Sequence, residues 1–263
     1  MTPMRDTDGR VHFSQLKLHS RSPAHVRLAC TVPRESTRSM VVGSVADARV
    51  FGHRSVAVYP GKRQGREWLL FEAAHAGELI CTQSEWDDAA GAADAVQEDH
   101  VAQDLLRGCE LQPVVQWEAH GLPCASGIAG KRGGFDAIDR ARGRILDLKL
   151  TDSEPETLSR HALQQLWHAQ GAWYLDGANA GSDVPRVTEF VLIAVDPKPP
   201  HNVTCMRVPD ALLDKGRRQI AMWAERHRSC ENSGHWPGYV QSVVDLTMPG
   251  WMAYGDLQGL EDE

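Results

Sequence analysis

The chain has 263 residues, 42% of them hydrophobic and 24% charged, with a net charge of −7. That length and balance fit a soluble globular protein with a full core, organised as one domain over residues 1–263. They exclude a disordered chain and a binder that relies on overall positive charge, so any contact with DNA must use local basic patches.

No apolar run reaches 18 residues, and the opening MTPMRDTDGR lacks the apolar segment of a secretory leader; no membrane partner and a cytoplasmic location are expected. The six cysteines, at positions 30, 81, 109, 124, 205 and 230, form no CxxC pair. A zinc ribbon is disfavoured, and reduced, mostly buried thiols are the expected state, although wide spacing alone does not exclude an iron–sulfur cluster.

Residues 1–10 read as a flexible lead. Pro23, just after Ser22, is placed to open a short helix. RESTRSMVVGSVADARVFG follows as a helix with Gly43 and Asp47 four residues apart. Residues 51–80 read as short strands and turns. A long helix is predicted from about Ser84 to Leu106, with Ala92, Val96, Val101 and Leu105 at helical spacing and Gly108 as its stop.

The period then changes. LQPVVQWEAHG reads as a strand with a turn near Gly121, and two further strands are joined by the charged turn DRARGR. SEPETLSRHALQQLWHAQGAWYLDGANA reads as one strong helix, with Ser153, Glu154 and Glu156 near its positive end. RVTEFVLIAVDPKPP is a buried strand, and PDALLDKGRRQIAMWAERHRSC an amphipathic helix. The turn-rich tail, residues 232–263, is expected to pack on the core through Trp236 and Trp251. This order indicates an α/β fold, a mixed central β-sheet flanked by helices.

The stretch FDAIDRARGRILDLKL places two acids and a lysine inside apolar strands. Side chains alternate along a strand, so Asp147 and Lys149 share a face, and the hairpin brings Asp136 beside them. Two adjacent carboxylates repel unless a cation lies between them, and oxygen donors suit Mg2+ or Mn2+. A lysine there positions a water or stabilises charge on a phosphate, as metal-assisted phosphodiester hydrolysis requires. A D-x-K triplet alone is more often a solvated ion pair. Gln170 and Tyr174, at i and i+4 on the following helix, shift that balance.

Asp136, Asp147-Leu148-Lys149 and Gln170-x-x-x-Tyr174 together resemble the PD-(D/E)xK nuclease superfamily, in the branch with a QxxxY extension that includes RecE-like and lambda-exonuclease-type phage exonucleases. SPAHVR at 22–27, MVVGS at 40–44 and WPGYVQSVVDLTMPGW at 236–251 extend the resemblance over about residues 18–252. The resemblance implies a restriction-endonuclease-like core. It also implies a Mg2+-dependent exonuclease, with Mn2+ as a substitute, degrading one strand from duplex DNA ends, 5′ to 3′, for recombination or repair by single-strand annealing. A ring-shaped homo-oligomer, a single-strand annealing partner and the interior of a bacterial or phage-infected cell belong to the same implication.

By position, Asp136 and Asp147 are then metal ligands with the Leu148 carbonyl, Lys149 is the catalytic lysine, and Gln170 and Tyr174 orient it, a water or the DNA backbone. The histidine of the family's GxxxH motif is replaced by Asp47, which still offers oxygen to a metal. Glu110 is the first candidate for a further acid and Glu118 the second. Lys131 and Arg132, in a glycine-rich loop, are candidate phosphate contacts, as are Arg34 and Arg38. Ser22, His25 and Arg27, with His19, form a candidate wall for a DNA end. Arg140, Arg142 and Arg144 read as a solvated turn, and Trp167 and Trp173 as core. Two other readings stand beside the exonuclease: a structure-specific or single-strand nuclease on the same core, and a catalytically weak DNA-binding or assembly module, which Asp47 invites.

Overall fold

Continuous apolar runs in the second half of the chain build the sheet that carries the site, buried on both faces. The computed structural model describes residues 8–32, 36–128, 132–151, 154–181 and 185–248. The N-terminal part contains β1 (Val11–His12), α1 (Phe13–Leu16), α2 (Pro23–Thr31), α3 (Arg38–Phe51), β2 (Val56–Tyr59), α4 (Gly65–Ala74) and β3 (Leu79–Thr82). Next come α5 (Gln83–Glu98), α6 (His100–Leu106), β4 (Glu110–Leu111), β5 (Val115–Ala119), β6 (Leu122–Ile128) and β7 (Arg132–Gly133). The chain continues through β8 (Ala137–Asp139), β9 (Arg144–Leu150), α7 (Pro155–Gln164), α8 (Trp167–Ala178), β10 (Glu189–Val195), β11 (Val203–Arg207) and α9 (Asp210–Ser233).

The main sheet is mixed and runs β11-β10-β9-β8-β4; β9 and β10 are parallel and the other pairs antiparallel. Successive residues face opposite sides. Ile138, Ile145, Phe190 and Leu192 turn to a core shared with α8 and α9, including Trp173, Leu175, Ile220 and Trp223. Ala137, Leu146, Leu148, Val191 and Ile193 turn the other way, onto Ala92 and Val96 of α5. A second sheet, β1-β6-β5 with β7 on β6, and the β2–β3 pair complete the described strands. This is the α/β architecture that the order of elements indicates.

Local chemistry departs from the periodic reading at four places. Asp99 splits the long helix predicted over Ser84–Leu106: its carboxylate accepts from the backbone N–H of Val101 and Ala102, at 3.0 and 2.8 Å, and so caps α6. Leu166, at φ 63°, divides the single helix predicted over 153–180 into α7 and α8. A left-handed leucine costs about 1–2 kcal/mol, offset by packing against the α8–α9 core. Residues 51–80 hold a helix as well as strands; α4 buries none of its residues, so its pattern carries little periodic signal. Arg10 and the residues after it are already structured, since Val11 and His12 pair in parallel with Cys124 and Ala125.

Candidate metal centre and nuclease site

The hairpin register brings the two acids together. Ala137 pairs with Leu146 and Ile138 with Ile145, so Asp136, one residue before β8, stands across from Asp147. Alternation puts Asp147 and Lys149 on the face of Ile145, which α8 covers. Asp147 is 2% exposed and forms an ion pair with the Lys149 ammonium. Asp136 Oδ2 accepts from the Leu148 N–H at 2.7 Å, tying the first acid to the strand of the second.

Asp136 titrates well above the ordinary aspartate range. Burial is the first cause, and the negative charges of Asp147 and Asp47 add to it; the Lys149 ammonium and the Leu148 N–H offset part of it. Two like charges about 4 Å apart repel by roughly 4 kcal/mol in a semi-polar protein environment. The centre is therefore short of positive charge.

Asp47 reaches the centre from α3. Gln112, just after β4, links it to Asp136: its amide nitrogen lies 3.4 Å from Asp47 Oδ1 and 3.5 Å from Asp136 Oδ1. The Gln112 backbone N–H donates to the Asp136 carbonyl at 2.9 Å, with Gln112 held at φ 50°. Asp47 also lies 3.4 Å from His53. Sequence reasoning passed over Gln112. Only the β4–β8 register, Glu110 with Ile138 and Leu111 with Ala137, brings position 112 to Asp136. Glu110 sits exposed on β4, and Glu118 lies beside Arg10 at 3.8 Å; neither lines the cavity described next.

Gln170 and Tyr174 stand one turn apart on α8, and the Gln170 amide donates to the Tyr174 hydroxyl at 2.7 Å. Tyr174 is fixed between Phe135 and Phe190, ring centroids at 5.3 and 6.2 Å. Both residues line a cavity of about 330 Å³ with Asp47, Gln112 and Asp136 on its wall, together with His12, Ser14, Lys17 and Ser126. Ser126 Oγ is buried there without a hydrogen-bond partner among the described residues. The short motifs at 12–17 and 125–127 gave no signal of this wall in the sequence.

Of the candidate DNA contacts, Ser22, His25, Arg27 and Arg38 are not among the residues lining that cavity. Ser22 is buried before α2, its hydroxyl 2.7 Å from His25 Nδ1, and His25 meets the Tyr239 ring. Arg27 is exposed on α2. Arg38 is paired with Asp88 at 2.7 Å and with Ser84. Arg132 belongs to β7, but its side chain, like Lys131, Arg34 and Trp251, lies outside the described residues. The turn arginines are also paired: Arg142, which is exposed, and Arg144 reach Asp139, and Arg140 donates to the Ala178 carbonyl.

Among the described residues, no three His, Cys, Asp or Glu side chains converge closely enough to hold a metal by themselves. The donor set is two facing carboxylates with Asp47 joined through Gln112. Mg2+ usually keeps several waters and binds through one or two carboxylates plus a substrate phosphate. The residues fit such a cation: oxygen donors, a buried excess of negative charge and a cavity alongside.

Residues 12–244 match a family described as a PDDEXK-like domain of unknown function, and the chain belongs to that family. Its fold and family place it in the PD-(D/E)xK nuclease superfamily. A solved structure named "Putative exonuclease", from Eubacterium rectale, superposes with a TM-score of 0.63 at 13% identity, over 94% of this chain and 93% of that one. A comparison with curated proteins finds no match. No helix among the described residues is long and apolar enough to cross a membrane.

Proposed function

We propose that the protein is a Mg2+-dependent deoxyribonuclease that degrades one strand of duplex DNA from its ends. One observation carries this reading: Asp136 and Asp147 face each other across the β8–β9 hairpin, with Lys149 paired to the second acid on the same face. Both acids would hold the cation, with the Leu148 carbonyl and Asp47 as further donors. When bound, a divalent cation supplies Lewis-acid polarisation of a phosphoryl oxygen and eases deprotonation of the attacking water. The Lys149 ammonium stabilises charge that builds on the non-bridging oxygens. The Gln170 amide, held by Tyr174, lines the cavity where it can orient the phosphate or the water. The structural neighbour's name favours an exonuclease. The resemblance adds 5′ to 3′ polarity, a homo-oligomeric ring, Mn2+ as a substitute, a single-strand annealing partner and a role in recombination.

A defined DNA series tests the reading. Linear duplex should be degraded in Mg2+, with 5′-end label released before 3′-end label, and chelation should stop the reaction. Covalently closed circles cut as fast as linear duplex would overturn end-dependence.

A second reading, a DNA-binding module with little catalysis, draws on the Lys149–Asp147 contact, in which the ammonium already compensates one acid. Metal titration separates the two, since a binding module need hold no cation.

A further inference from the structure

We infer that Trp167 is a positioning residue for Lys149: its indole covers the ammonium and holds it toward Asp147. The inference rests on the nuclease reading and assigns a role to a residue whose sequence pattern indicates only core. Lys149 Nζ lies 5.6 Å from the centroid of the Trp167 ring, within the range in which an ammonium is attracted to an aromatic face. Asp147 engages the same ammonium. A lysine on a long flexible stem would otherwise sample many rotamers. Here an anion and an aromatic face together restrict it.

The ring is itself fixed from two sides. Leu166 in the left-handed region turns the chain between α7 and α8, so that Trp167 opens α8 instead of continuing α7. His161 of α7 meets the indole edge-on, with centroids 5.3 Å apart and planes at 80°. Trp167 also packs, partly buried, against the α8–α9 core. The same helix carries Gln170 and Tyr174 one and two turns later, so the break at Leu166 sets the lysine's cover and the cavity wall in one register. An apolar residue of similar bulk would fill the space but offer no π-face. A phenyl ring would retain part of that face.

Two measurements on the full chain test this, one without metal. The first follows acylation of Lys149 by an amine-reactive reagent, read by peptide mass spectrometry, in the wild type and in Trp167→Leu and Trp167→Phe. Lys149 should be modified several-fold faster in Trp167→Leu and at near wild-type rate in Trp167→Phe. The second follows steady-state cleavage of linear duplex. Trp167→Leu should lower kcat by about 10- to 100-fold with KM within about twofold, as expected when a reacting group is misplaced, and Trp167→Phe should restore most of it. Unchanged acylation in Trp167→Leu, or equal loss of kcat in both variants, would overturn the inference. If Trp167→Leu does not fold, Trp167→Met serves as the ringless variant with the same expected outcomes. A wild type without cleavage would sink the nuclease reading, while the acylation arm still decides whether Trp167 covers Lys149.

Discussion

Asp136 is surrounded by charge: Asp147 across the hairpin, Asp47 through Gln112, and Lys149 in partial compensation. The unfolded chain releases this proton near pH 3.8, whereas the fold retains it to higher pH. Without a cation, stability therefore declines as pH rises above 3.8, until the raised folded value is passed. Asp136→Asn removes the charge while its carbonyl can still accept from Leu148. It should stabilise the metal-free protein at neutral pH and abolish the rise in Tm on adding Mg2+. Thermal melts with and without the ion check both. Lys149→Ala should lower cleavage about 100-fold or more with the fold intact, and unchanged turnover would remove Lys149 from the chemistry. The core of this centre is legible in the sequence because its spacings are local: two residues along a strand, four along a helix. Gln112 is not legible, since its place depends on the pairing of β4 with β8, which no local period encodes.

Helix α8 presents Gln170 and Tyr174 to the cavity because α9 presses closely on its other side. A Cβ at Gly216 would lie 2.7 Å from both the Ala169 Cα and the His168 carbonyl, backbone atoms that cannot swing aside. Gly216→Ala should therefore destabilise the protein by about 1–3 kcal/mol, seen as a lower midpoint in denaturant. Gly43, in the interior of α3, has nothing within 4 Å of its missing Cβ. Gly43→Ala should raise stability by about 0.5–1 kcal/mol in the same assay. The elements themselves follow the sequence where the apolar signal is strong, as in the continuous runs of β9 and β10 and the amphipathic stripe of α9. They depart from it where one residue's chemistry overrides the period: the Asp99 cap splits one helix, the left-handed Leu166 another, and the exposed α4 has no buried stripe to reveal it.

Across the whole molecule, the two ends of the described chain meet at a buried histidine pair. His19, in the turn before α2, lies 3.2 Å from His227 of α9, and Trp236 stacks on the first ring and meets the second edge-on. Ala24 donates to the Pro237 carbonyl beside them, so Trp236 and Pro237 meet this end of the chain, while residues 238–248 are exposed. Burial, then His227 and Arg226, push His19 down from 6.5 to about 3. It stays neutral in the fold while the unfolded chain protonates near 6.5, so its contribution is complete above that pH and is lost as pH falls toward 3. Stability should drop by about 1.4 kcal/mol per pH unit below 6.5, and His19→Gln should flatten the slope; melts at pH 7, 6 and 5 give the comparison.

The centre on β8 and β9 is tested most directly by diffraction from crystals soaked in Mn2+. A single anomalous peak coordinated by the carboxylates of Asp136 and Asp147, with Lys149 released from its contact with Asp147, is the predicted result. No peak at that position, with Lys149 still paired to Asp147, would contradict the account.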